Sequence, residues 1–229
     1  MTDDATVEQL IEHFLSGNIS ARVDAGFKLR DIAGHGDEAL IDHLIQLLQS
    51  EDYRGLWWHI PAILSASGNA KVVQPLIDTL RKVLPEPDEF DEPGDSFTRK
   101  YIGYALAILR PREAVDVLIK ALHSCTRLIP EYNDDENIYD ELDHEAIEAA
   151  GGALSSIGDL RGIIAEVDSL LEQDHYHQIA VEVWSETTIE AVRQYLLKIT
   201  ESDDAHLSKK ATFLLNDINF LLSATKNRD

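Results

Sequence analysis

The densest run of potential metal ligands in this chain is Asn133-Asp134-Asp135-Glu136, four consecutive side-chain oxygen donors of the kind that hold Ca²⁺. A calcium loop of the EF-hand type alternates its ligands, puts a glycine at its centre and closes on a distal glutamate, and that spacing is absent here. Asp174, His175 and His177 form a second cluster, but residues two apart diverge on a helix and no third strong ligand stands near them in sequence. His144-Glu145 opens a zinc-protease pattern that fails at position 148, which is Glu. Gly151-Gly152 is not followed by the Gly-Lys-Ser/Thr of a phosphate loop, and no Gly-x-Ser-x-Gly elbow occurs. Cys125 is the single cysteine, so an internal disulfide and a four-cysteine zinc site are excluded. A thiol is activated by electropositive surroundings, which an acidic chain does not favour; a free cysteine of this kind reads as a small buried hydrophobe. The expectation is no catalytic centre, no metal and no cofactor.

Charge narrows the partners. The 229 residues carry 42 Asp plus Glu against 20 Lys plus Arg, a formal charge of −22. Phosphate backbones and anionic lipid surfaces need clustered Lys and Arg, so nucleic acid and membrane are excluded as expected partners. At 44% hydrophobic, the chain has enough apolar material for a sizeable core. Met1-Thr2-Asp3-Asp4 lacks the positive start and apolar run of a signal peptide, and no apolar stretch approaches the roughly 20 residues that span a bilayer. A cytoplasmic location is expected.

Such residues need a scaffold, and the scaffold is repetitive. Four segments align without gaps on one turn: residues 22–48 with Gly36-Asp37, 54–80 with Gly68-Asn69, a third unit ending at Leu122 with Arg110-Pro111, and a fourth ending at Leu170 with Gly158-Asp159. In each, the turn anchor lies twelve residues before the closing leucine. Each unit reads as two helices. The second carries apolar residues at helical spacing, as in Leu44, Leu47 and Leu48 or Val73, Leu76, Ile77 and Leu80. Glycine supplies the positive φ that ends the first helix, and Asp or Asn caps the next. Pro61 is expected inside a first helix, kinking it, and Pro75 near the first turn of a second helix, where a missing N–H costs less.

Two-helix units of this kind cannot bury their apolar faces alone and must stack, which predicts an all-α solenoid of about five helical pairs with capping helices. Residues 5–16 read as an amphipathic N-terminal cap. Residues 19–171 hold the four repeats, and 174–229 a divergent fifth pair with a C-terminal cap helix. The fifth pair is expected near 176–184 and 188–199, with Thr187 and Glu190 at capping-box spacing and Asp203 or Asp204 starting the last helix.

The pattern resembles HEAT repeats, especially the short type named after phycobilisome lyases. Ala153-Leu154-Ser155-Ser156-Ile157-Gly158-Asp159 is the nearest match to that type's turn, and Ala25, Leu29, Ile32 and the run from Leu44 to Leu48 resemble the rest. The third unit departs from it, with Arg110-Pro111 in place of Gly-Asp. The resemblance implies a HEAT/armadillo-like superhelix and, from the family's activity, a role in attaching bilins to phycobiliproteins.

Two insertions interrupt the repeats, near residues 84–96 and 125–143, on connections at one edge of the stack. The first carries Asp88, Glu89 and Asp91 around Phe90; the second carries Asp134, Asp135 and Glu136 with Tyr132 and Tyr139. Negative charge with embedded rings suits capture of a basic protein, charge for steering and rings for affinity. Aligned positions add two more candidates. Trp58 shares a row with Gly26, Lys100 and Glu148, and Tyr104 with Arg30, Ala62 and Gly152; both rows look outward, one helical turn apart. Trp57, aligned with Ala25 and Ile147, is expected in the core. The second helices line an inner groove with the columns Gln46, Asp78, Lys120, Asp168 and Asp42, Gln74, Asp116, Ile164.

The expected function is a non-enzymatic protein–protein interaction module recognising a partner with a basic surface, through the acidic insertions or the groove. An immunity or inhibitor role and an assembly role both fit that description. The alternative is a bilin lyase subunit or bilin-handling protein.

Overall fold

The computed structural model describes residues 6–56, 58–84, 94–126, 138–172 and 184–226. Among the described residues it contains eleven α-helices and no strand. They are α1 (Val7–Ser16), α2 (Ile19–Gly34), α3 (Glu38–Gln49), α4 (Ile60–Ala66), α5 (Val73–Lys82), α6 (Asp95–Leu109), α7 (Val115–Thr126), α8 (Ile138–Ile157), α9 (Leu160–Glu172), α10 (Glu186–Thr200) and α11 (Ala205–Lys226). Helices α2, α4, α6 and α8 pack in a row, here the A face, and α3, α5, α7 and α9 in a second, the B face. Helix α1 packs against α2 at one end, and α10 and α11 against α9 at the other. The chain is an α-solenoid.

Local chemistry sets these boundaries. Gly36, Gly68 and Gly158 take φ of 84°, 60° and 73°, conformations closed to most side chains. Arg110, which replaces glycine at the third turn, adopts the same left-handed region at φ 52°, ψ 44°. There the Arg110 N–H still reaches Leu106 O, ending α6 as glycine ends the others, and Pro111 follows in extended conformation. Asp37 accepts from Leu40 N at 2.9 Å, and Asn69 and Asp159 accept from the N–H two residues on at 3.0 Å each. Thr6 and Gln9 form a reciprocal capping box at α1, a feature that the sequence reading passed over.

Two expectations are corrected. Pro61 is not in a helix interior: a short 3-10 helix over Glu51–Leu56 precedes it, and α4 begins at Ile60, so Pro61 sits in the first turn, where it breaks no helix. Ser185, not Thr187, caps α10, its hydroxyl accepting from Thr188 N at 3.2 Å. The helix expected near 176–184 falls outside the described residues except for Trp184, which is buried in a bend. Asp204 caps α11, accepting from His206 N and Leu207 N at 2.9 and 3.0 Å.

The closing leucines Leu48, Leu80, Leu122 and Leu170 are all buried, between 0% and 4% exposed, so equivalent positions face the same way. The core forms two clusters. One runs from Leu10 and Phe14 through the first three repeats to Ala165; the other gathers Ile163, Val167, Leu170, Trp184, Val192, Leu196, Ala211 and Ile218. Helix α9 contributes to both. Helices α6 and α8 approach each other closely: a Cβ at Gly103 would stand 2.8 to 3.0 Å from Cβ, C and O of Ala149. Lys100 on α6 also pairs with Glu145 on α8, so the two helices run in the same direction. Their N-termini, Asp95 and Ile138, therefore share one edge.

Candidate functional site

The A face carries the exposed apolar groups. Phe97, Tyr101, Tyr104 and Ile108 recur at helical spacing along α6, and their exposure grows along it, to 42% at Tyr104 and 60% at Ile108. Tyr101 and Tyr104 meet edge to face, centroids 6.2 Å apart. Trp58 lies in the turn before α4, half-buried, stacked on His59 with centroids 3.3 Å apart. Phe97 and Tyr101 lie 5.7 and 5.8 Å from it, so α6 itself supplies cover for this ring. The structure thus brings Trp58 and Tyr104 into one aromatic patch, bridged by Tyr101.

Charge around the patch is organised by α8. Lys100 Nζ donates to Glu145 Oε2 at 2.5 Å and lies 5.6 Å from the Tyr101 ring. Burial works against the Lys100 charge, but the hydrogen bond and charge of Glu145 raise its pKa overall. Burial raises the Tyr104 hydroxyl; Lys100 opposes this, and Glu145 and Glu148 reinforce it. His59 is held down at about 4 by burial and by the Arg22 charge, so the Trp58–His59 stack is neutral at pH 7.

Equivalent positions on α2 repeat this ridge. Val23 and Phe27 align with Phe97 and Tyr101, and they are 42% and 66% exposed. The second repeat, between them, offers Ala62 and Ala66 at the positions of Tyr104 and Ile108. In those two columns the first repeat has Arg30 and Gly34. Phe27, Arg30, Asp31, Gly34 and His35 border a shallow cleft of about 390 Å³ against Ala66.

On the B face the polar columns are tied down. Asp42 accepts from Lys71 at 2.8 Å, and the same ammonium also pairs with Glu38. Asp116 pairs with Arg161 at 3.2 Å. Both bridges join consecutive repeats at equivalent places, first to second and third to fourth. Asp78 accepts from Gln74 at 2.8 Å and Arg81 at 2.9 Å. Asp168 accepts from the Tyr195 hydroxyl, which burial and this partner push up to about 12. Lys120 is exposed and makes no ion pair among the described residues.

Several residues expected to matter lie outside the described residues: Asp88, Glu89, Asp91, Tyr132, Asp134, Asp135 and Glu136, with Trp57, Asp174, His175 and His177. Tyr139 is in α8, its side chain outside the described set, as is that of Cys125 in α7. Among the described residues no three or more His, Cys, Asp or Glu side chains converge as a metal site, and no helix is long and apolar enough to cross a membrane.

Sequence reasoning missed three buried polar groups. Arg54 grips Asp95, the first residue of α6, at 2.7 and 3.2 Å, and Asp95 is 4% exposed. Arg99 occupies the core column of Ala25 and Ile147, its guanidinium donating to Val83 O at 2.8 Å and Ser96 Oγ at 2.9 Å. Glu166 occupies the column of Leu44, Leu76 and Leu118. A charged residue in an aligned apolar column was the signal available for the last two.

No protein-family model matches the chain, and no curated protein matches it in sequence. Among solved structures it is similar to the complex of CpcE and CpcF of phycocyanin lyase from Nostoc sp. PCC7120, at 21% identity and a TM-score of 0.53, over 91% of this chain and 75% of that one. An engineered protein also aligns, at 19% identity and a TM-score of 0.44, over 93% and 98%. The fold is HEAT-like. At such identity the likeness concerns the path of the chain and not its chemistry.

Proposed function

We propose that this HEAT-like solenoid is a protein-binding scaffold that captures a partner with a basic surface on the A face, along the exposed ridge of α6. The observation that carries the reading is the α6 ridge: Tyr104 and Ile108 stand exposed, at 42% and 60%, and the negative charges of Glu145 and Glu148 lie near Tyr104. Exposed aromatics are the residues that most often anchor interfaces, and net charge steers the encounter. Asp88, Glu89 and Asp91 precede α6 in sequence, Tyr132, Asp134, Asp135 and Glu136 precede α8, and Tyr139 belongs to α8; in this reading they add negative charge and rings for the same partner. Trp58 and Tyr104 supply apolar area, and Asp78 and Lys120 remain the B-face alternative. The test is capture by the tagged chain at low salt with stepwise salt elution, comparing wild type with Tyr104→Ala/Ile108→Ala and with neutralised Asp88, Glu89, Asp91, Asp134, Asp135 and Glu136. Loss of the same basic protein from both variants supports the reading; capture unaffected by either refutes it.

A second reading is a bilin lyase subunit, favoured by the fold likeness to the phycocyanin lyase complex. Titration with a free bilin separates the two. A shifted visible absorbance band supports the lyase reading, and an unchanged spectrum alongside a salt-sensitive protein complex supports the scaffold.

A further inference from the structure

The fourth repeat breaks the core pattern at one position. Leu44, Leu76 and Leu118 are equivalent and fully buried, and Glu166 takes their place at 9% exposure. Its carboxylate rests over Gly151 of α8, where a Cβ would lie 3.1 Å from Glu166 Oε1. Ser155 Oγ donates to Glu166 Oε2 at 2.5 Å, and Trp184 Nε1 donates to Ser155 Oγ at 3.0 Å. Ser155 and Trp184 are themselves buried, at 1% and 7% exposure. One polar chain thus joins α8, α9 and the residue that leads into α10. It lies where the first apolar cluster hands over to the second.

Among the described residues, no cation neutralises this carboxylate. On α8, Glu145 pairs with Lys100, and the groups facing Glu166 are Gly151 and Ser155. On α9, Asp168 holds Tyr195 of α10, and Arg161 is turned to Asp159 and Asp116. On α7, Asp116, Lys120 and His123 are exposed. On α10, Arg193 pairs with Glu190 at 3.5 Å, and on α11 the Lys210 ammonium donates to Leu171 O at 3.1 Å. Burial is therefore the dominant influence on Glu166; it pushes the carboxyl up to about 7, and the Ser155 hydrogen bond opposes it.

We propose that the Trp184–Ser155–Glu166 chain is a proton-operated latch: closed while Glu166 is protonated, it seats the α10–α11 pair on the fourth repeat, and ionisation of the carboxylate loosens that seat. The sign follows from linkage. The closed state keeps its proton up to about pH 7, whereas an open, solvated Glu166 loses it near its ordinary value of 4.5. Opening therefore becomes easier as pH rises from about 4.5 to about 7 and levels off above, by a factor on the order of a hundred.

The experiment is hydrogen–deuterium exchange of the full chain between pH 5 and 8, corrected for intrinsic exchange, with α2 and α3 as internal reference. The latch predicts that protection of α10 and α11 falls relative to the reference, with a plateau above pH 7. Glu166→Gln, neutral and of the same shape, is expected to flatten that profile. Glu166→Leu, which installs the residue of the other repeats, should flatten it too and decides the matter if the Gln variant does not fold. A wild-type profile already flat, or a slope that persists in a folded neutral variant, overturns the latch.

Discussion

On the B face, Asp42, Asp78, Asp116 and Asp168 each find a partner within the chain, and two of these partners, Lys71 and Arg161, belong to the next repeat. On the A face, the large residues of α2 and α6 project instead: Phe27 is 66% exposed, Tyr104 42% and Ile108 60%. The two faces come from the same two-helix unit repeated four times. Both looked like binding surfaces when read as columns of aligned residues. What separates them is whether each group's bonding capacity is already used. A polar column on stacked helices is one repeat's reach from the next, so charges pair along it and leave little for a partner. A ridge of rings and branched chains has no such internal outlet unless another element covers it.

The largest effect expected on the A side is structural. Arg54→Ala strips the guanidinium from buried Asp95 at the start of α6, and about 2–4 kcal/mol of stability should be lost, read from urea unfolding. A loss below the error of the midpoint would mean that water replaces Arg54 without penalty. Next comes Gly103→Ala: the added Cβ meets the Ala149 backbone within 3.0 Å, so α6 and α8 must separate, at a cost of about 1–3 kcal/mol despite alanine's better helix propensity. If this variant were instead more stable than wild type, the close crossing of the two helices would be wrong.

Smaller in energy but nearer to function, Tyr104→Ala/Ile108→Ala should leave the unfolding midpoint near wild type. It should weaken partner affinity about tenfold or more, roughly 1.4 kcal/mol, in a titration of the captured protein. The smallest effect belongs to the B face. Arg161→Ala removes an exposed bridge to Asp116, and its consequence for unfolding should be hard to detect and vanish at high salt, with capture unchanged. A marked loss of capture in that variant would exchange the roles of the two faces.

Much of this fold was readable from residues alone, because each repeat carries its own punctuation. Gly36, Gly68 and Gly158 mark turns by the φ they permit, and the closing leucines mark the core by their interval from those turns. Arg110 shows that the turn geometry outlasts the loss of its glycine. What escaped the reading was set by neighbours distant in sequence. Trp58 looked like a helix-surface residue by alignment, yet the second unit's first helix is broken into a 3-10 turn and a short α4, which places that ring against Phe97 and Tyr101. Asp42, Asp116 and Asp168 looked available because their partners, Lys71, Arg161 and Tyr195, lie 27 or more residues away. Glu166 and Arg99 were visible as misfits in their columns. Which hydroxyl or carbonyl receives each one was not, since that depends on how the helices cross.

The measurement that bears most directly on the scaffold reading is differential capture. Wild type, Tyr104→Ala/Ile108→Ala and Lys71→Ala/Arg161→Ala would be presented in parallel to the same cell lysate, with proteins eluted by rising salt and identified by mass spectrometry. The account predicts a basic protein that is retained by wild type and by the B-face variant, leaves with salt, and is lost from the A-face variant. Retention by the A-face variant with loss from the B-face variant would contradict it.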